Sequence, residues 1–153
     1  MFIEEVVGAL RQARVRFGIA GGYAVGLHGA VRGTVDLDLV IALEKRQFRA
    51  AQKALTSIGL APRLPVDADQ VFDFREEYIE NRNLFAWSFI HPHDPTKLVD
   101  ILITHDIREM DVVRIRVGDM TLPVVGVRDL IAMKREAGRP QDLEDVRALE
   151  GLR

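Results

Sequence analysis

The alternation of residue types between Arg32 and Ile41 restricts what this chain can fold into more than any other feature. The segment reads Arg32-Gly33-Thr34-Val35-Asp36-Leu37-Asp38-Leu39-Val40-Ile41, and side chains on an extended strand point to opposite faces in turn. Arg32, Thr34, Asp36 and Asp38 fall on one face, while Val35, Leu37, Leu39 and Ile41 fall on the other. The second set can enter a core. The first set brings two carboxylates into one space. A strand over 34–42 with its apolar face covered is the expectation, and the plain alternative is a solvated strand face with scattered charge.

Two carboxylates side by side repel each other and raise each other's pKa unless a cation lies between them. Oxygen ligands of this kind suit a hard divalent ion, Mg²⁺ or Mn²⁺. The chain contains no cysteine, so disulfides and thiolate metal sites are excluded, in keeping with a reducing cytoplasm. At 153 residues it has the size of one domain. The expected organisation is therefore a single domain over 1–153, with 126–153 as a C-terminal helical segment. Glu4 and Glu5 stand where a signal peptide would carry positive charge, and no apolar run reaches the roughly 20 residues of a membrane span. A soluble, cytoplasmic protein with no membrane partner is expected. A formal charge of −2 argues against broad electrostatic adhesion to nucleic acid.

Along the chain, residues 2–16 have helical spacing, with Phe2, Val6, Val7, Leu10 and Ala13 apolar. Phe17 to Ala20 reads as a strand, Gly21-Gly22 as a tight turn, and Tyr23 to His28 as a short helix ended by Gly29. Glu44 to Ile58 is an amphipathic helix closed by Gly59. Residues 62–83 show no clear period and predict loop with room for one helix. Leu84 to Ile90 and Lys97 to Ile103 read as a hairpin across the turn formers 91–96. Val112 to Val117 and Met120 to Val125 form a second hairpin around Gly118-Asp119. Two helices follow, Val127 to Ala137 and Pro140 to Leu149, separated by Gly138.

Upstream of the acidic pair, Gly21-Gly22 could let backbone N–H groups approach a phosphate closely. The run Gly21-Gly22-Tyr23-Ala24, His28-Gly29 and Arg32-Gly33-Thr34-Val35-Asp36-Leu37-Asp38 resembles the signature of the DNA polymerase beta nucleotidyltransferase superfamily. More narrowly, it is similar to the small bacterial branch containing abortive-infection-type toxins and lincosamide nucleotidyltransferases. The resemblance implies an α/β (α+β) fold, a mixed β-sheet with flanking helices. It also implies two aspartate metal ligands on one strand and a third carboxylate on a later neighbouring strand. Many superfamily members carry Gly-Ser where this chain has Gly21-Gly22, so backbone contacts would replace a serine hydroxyl.

Asp100, alone within the aliphatic run Leu98-Val99-Asp100-Ile101-Leu102-Ile103, is the candidate third acid, as metal ligand or as base for an attacking hydroxyl. The alternative places it at a strand edge facing water. Residues 130–146 resemble the closing segment of the toxin-like branch, which implies that Lys134 reaches the triphosphate; a solvated helix lysine is the other reading. Arg139 and Asp142 are read as tying the two helices together. His91 and His93 are read as exposed turn residues, His28 as a packing or hydrogen-bonding residue, and Phe85, Trp87 and Phe89 as core, with one of them free to border a base pocket.

The function expected is metal-dependent transfer of a nucleoside monophosphate from a nucleoside triphosphate such as ATP to an acceptor hydroxyl. Asp36, Asp38 and Asp100 would hold the metal and carry the catalysis, and Gly21, Gly22, Arg32, Thr34 and Lys134 would bind the nucleotide. The resembling branch admits a small molecule, RNA or protein as acceptor, a toxin role, and an antitoxin partner. The rivals are a catalytically inactive nucleotide- or RNA-binding module of the same fold, and an interaction protein with no cleft at these aspartates.

Overall fold

The computed structural model describes residues 1–30 and 36–152. Arg32 and Thr34 lie outside the described residues, as does the first part of the expected 34–42 strand. The elements run α1 (Phe2–Gln12), β1 (Phe17–Ala20), α2 (Gly21–Leu27), β2 (Leu37–Ile41), α3 (Lys45–Ser57) and β3 (Ala61–Pro62). They continue with α4 (Ala68–Asp73), α5 (Arg75–Arg82), β4 (Ala86–His91), β5 (Asp94–Leu102), β6 (Val112–Val117), β7 (Met120–Val125), α6 (Val127–Ala137) and α7 (Pro140–Glu150).

The strands form one mixed seven-stranded sheet in the order β3-β4-β5-β2-β1-β7-β6. Its centre is built from apolar strands that pair across long sequence separations. β1 runs antiparallel to β2 and parallel to β7, and β2 runs parallel to β5. The residues on the covered side of β2, β5 and β4 are Leu37, Leu39, Val99, Ile101, Trp87 and Phe89, all buried. Trp87 stacks on Phe48 of α3 with centroids 5.8 Å apart, and Phe89 meets Trp87 edge-on at 4.6 Å. One sheet face is thus sealed by α3 and its neighbours.

Three local expectations require correction. The first helix stops at Gln12 instead of running to 16, because Arg14 takes a left-handed φ of 59° and Val15 N–H turns back to the Leu10 carbonyl. The segment 62–83 holds two helices where loop with one helix was expected. They are only six and eight residues long, too short to display a 3.6-residue period. Their signals are end signals: Asp67 and Gln70 form a reciprocal capping box for α4, and Asn83 closes α5 at φ 50°. The hairpin turn after β4 is also tighter than 91–96, since β5 already begins at Asp94. The second hairpin and both C-terminal helices lie where their sequence patterns place them.

Candidate active site

The site is set by strand register. Leu37, Asp38 and Leu39 of β2 lie opposite Val99, Asp100 and Ile101 of β5 in a parallel pairing. Because the leucines, Val99 and Ile101 go into the core, Asp38 and Asp100 must emerge side by side on the other face. β4 extends the same row, with Ser88 opposite Asp100, and β1 completes it with Ala20 opposite Asp38. Ala86, Ser88, Ile90, Leu98, Asp100 and Leu102 are all partly exposed on this face, whereas Trp87, Phe89, Val99 and Ile101 between them are buried. The sheet therefore offers an open floor with a carboxylate pair in it.

Asp36 stands just before β2 and is exposed. Among the described residues, no three His, Cys, Asp or Glu side chains gather closely enough to hold a metal ion. The described acids are thus a pair, Asp38 and Asp100, with Asp36 at the rim. Asp36 is near enough for its charge to act on Asp38: burial first, then Asp100, then Asp36 push the Asp38 carboxyl up to about 6, against the opposing pull of Lys134 and Arg139. A carboxyl in this state is short of positive charge.

Gly21 opens α2 directly against this acid. It has φ +64°, and a Cβ there would lie 2.0 Å from Asp38 Oδ2. Only glycine allows both that backbone conformation and the close approach. Gly22 is buried in the first turn of α2, and the N–H groups of a first helical turn have no partner inside their helix. His28, at the end of α2, bonds through Nε2 to the Val125 carbonyl at 2.8 Å and anchors the helix to β7.

The opposite wall comes from α6 and α7. Lys134 is buried, so the solvated reading does not hold; its ammonium lies 3.3 Å from Asp142 and 3.1 Å from Asp145. Arg139 donates to Asp142 through its backbone N–H at 3.2 Å and through Nε at 2.7 Å. Burial pushes the Asp142 carboxyl up, but the bonds from Arg139 and Lys134 outweigh it and hold the group below the usual carboxylate range. Arg139 and Asp142 do join the two helices, and Lys134 belongs to the same network.

Between floor and wall lies a cleft of about 620 Å³, within the size range of small-ligand pockets. Its lining includes Gly21 and the charged Asp38, Lys134, Glu136, Arg139 and Asp142, with Phe85, Leu102, Leu130 and Met133 among its apolar residues. Phe85 is half exposed and faces this cleft instead of the core. Sequence reading missed Ser88, and missed Arg139 as a cleft residue. Ser88 had a signal of a kind, as the polar residue at an alternate position of an apolar strand, but its partner is visible only once β4 and β5 are in register. His91 and His93 stay at the hairpin turn, where the His93 N–H donates to His91 Nδ1 at 3.1 Å.

No protein-family model matches the chain, and no curated protein matches it by sequence. Solved structures do match by shape. The antibiotic-resistance factor ANT(2'')-Ia superposes with a TM-score of 0.63 at 13% identity, covering 97% of this chain and 80% of its own. The lincosamide antibiotic adenylyltransferase LnuA, bound to lincomycin, matches with a TM-score of 0.63 at 12% identity over 99% of this chain and 96% of its own. An antigenic nucleotidyltransferase-like protein from Paracoccidioides brasiliensis gives 0.60 at 15% identity over 99% and 75%. At such identities the likeness speaks for architecture, and the conclusion is that this chain has the nucleotidyltransferase fold.

Proposed function

We propose that the chain is a metal-dependent nucleotidyltransferase, working as one domain over 1–153 with the helical segment 126–153 as the wall of its cleft. The observation that carries this reading is the Asp38–Asp100 pair, set side by side by parallel register under Gly21 and facing two cations. The adenylyltransferase activity of LnuA and the capture of adenylyl-2''-tobramycin by ANT(2'')-Ia, on proteins of the same fold, support it by analogy. The donor set fits a hard divalent ion. It consists of carboxylate oxygens, and Asp38 receives no hydrogen bond from any described residue to offset its repulsion by Asp100 and Asp36.

Asp38 and Asp100, with Asp36 from the rim, would hold Mg²⁺ or Mn²⁺. When bound, the metal supplies the positive charge that an in-line displacement at the α-phosphate needs on its attacking and leaving oxygens. Gly21 and Gly22 offer backbone N–H groups to the phosphates, as Arg32 and Thr34 would from outside the described residues. Lys134 and Arg139, which line the cleft, would supply counter-charge to β- and γ-oxygens. Asp100 takes the proton of the acceptor hydroxyl, whose oxygen bonds to the α-phosphorus as pyrophosphate leaves. Phe85, Leu102 and Met133 give an apolar seat for a ring of the nucleoside or the acceptor.

The test is transfer of label from each α-labelled triphosphate in Mg²⁺ to an aminoglycoside and lincosamide panel, to RNA, and to protein in a cell extract. Labelled acceptor with release of pyrophosphate, lost in Asp38→Ala, is the expected result. Label on RNA or protein is the outcome expected of the toxin-like branch, with its antitoxin partner. Triphosphate binding without transfer to any acceptor would replace this reading with that of an inactive binding module.

A further inference from the structure

We infer that Ser88 is a positioning residue for Asp100. It would fix one carboxylate oxygen so that the other is presented to a divalent cation shared with Asp38. The inference rests on the metal-dependent reading proposed above and goes beyond it by assigning a role to a residue of β4.

Ser88 lies directly opposite Asp100 in the antiparallel pairing of β4 and β5, and its hydroxyl donates to Asp100 Oδ1 at 2.5 Å. That length is at the short end of the range for O–H···O hydrogen bonds. No other hydrogen bond reaches the Asp100 side chain among the described residues. The neighbours of Ser88 along the same strand face are Ala86 and Ile90, which have no side-chain donor. A single hydroxyl therefore sets the Asp100 carboxylate, drawing Oδ1 toward β4 and leaving Oδ2 without a hydrogen bond from any described residue.

The two acids are held by different means. Asp38 is confined sterically, its Oδ2 packed where a Cβ of residue 21 would be. Asp100 is held by one hydrogen bond among the described residues. Groups that orient a ligating carboxylate typically matter 10–100-fold to metal affinity or activity when removed. Ser88 makes a bond of that kind and is not among the residues that line the 620 Å³ cleft.

The experiment measures Mn²⁺ affinity by calorimetry in the full chain without nucleotide, for wild type, Ser88→Ala, Ser88→Thr and Asp38→Asn, with thermal melts alongside. Ser88→Ala is expected to weaken Mn²⁺ about 10–100-fold with its melting temperature close to wild type. Ser88→Thr keeps the hydroxyl on a strand-favouring residue and is expected to restore affinity, which a simple packing role would not produce. Asp38→Asn is expected to bind most weakly. In the labelled-transfer assay at Mn²⁺ concentrations that saturate the variant, Ser88→Ala should lower kcat and leave the nucleotide KM within about twofold, because it moves a reacting group and not a phosphate contact. Wild-type and Ser88→Ala proteins of equal Mn²⁺ affinity would overturn the inference while leaving the proposed function standing. No Mn²⁺ binding by wild type would overturn both.

Discussion

Asp38 is the residue at which the candidate chemistry opposes stability. Its carboxyl rises from 3.8 to about 6, through burial and then the like charges of Asp100 and Asp36. The folded protein therefore keeps a proton that the unfolded chain releases between those values. The stability linked to that proton is complete below about pH 3.8 and is lost as pH rises through about 6. Asp38→Asn should accordingly raise apo-protein stability at pH 7 by about 1–3 kcal/mol, with the difference closing below roughly pH 4. Thermal melts in chelator across that range check it, and a variant less stable than wild type at pH 7 would mean that the acid is structural. Gly21 belongs to the same local conflict. Gly21→Ala meets a left-handed backbone and a 2.0 Å approach to Asp38 Oδ2, so a loss of about 1–3 kcal/mol is expected in denaturant titration, together with loss of nucleotide transfer.

Among the elements, the α6–α7 pair couples the wall of the cleft to the core. Lys134 lies between Asp142 and Asp145, both nearly inaccessible. Lys134→Met leaves these acids buried with less compensation, so the protein should lose about 3 kcal/mol in urea titration, as when one partner of a buried pair is removed. A solvated lysine would cost almost nothing. Any weakening of triphosphate binding in this variant has to be read at a temperature where the protein is fully folded. The sequence places these helices well, because Gly138 takes φ +66° as the closing residue of α6 and Pro140 begins α7. It does not show that Arg139 and Asp142, three positions apart in a turn, would turn a helix connection into a face of the cleft.

For the whole molecule, a ligand that binds only the folded state raises stability by mass action, by about 2.7 kcal/mol at a hundredfold excess over its dissociation constant. A nucleoside triphosphate with Mg²⁺ should raise the melting temperature of wild type, and the same nucleotide in chelator should raise it much less. Equal shifts with and without Mg²⁺ would place the triphosphate away from the carboxylate pair. Much of this architecture can be read along the chain, since strand alternation, helix period, turn glycines and prolines are local properties. The sequence by itself determined that Asp38 lies in an otherwise apolar strand with Asp36 two residues before it, that Asp100 is a lone acid in the aliphatic run of another, and that two hairpins and two final helices follow. Only the tertiary structure decided that Asp38 faces Asp100 across parallel strands, that Ser88 holds that acid, that Asp36 stays at the rim, and that Lys134 is buried between two aspartates. Register between strands some sixty residues apart depends on which apolar faces pack together, and that packing free energy belongs to no single segment.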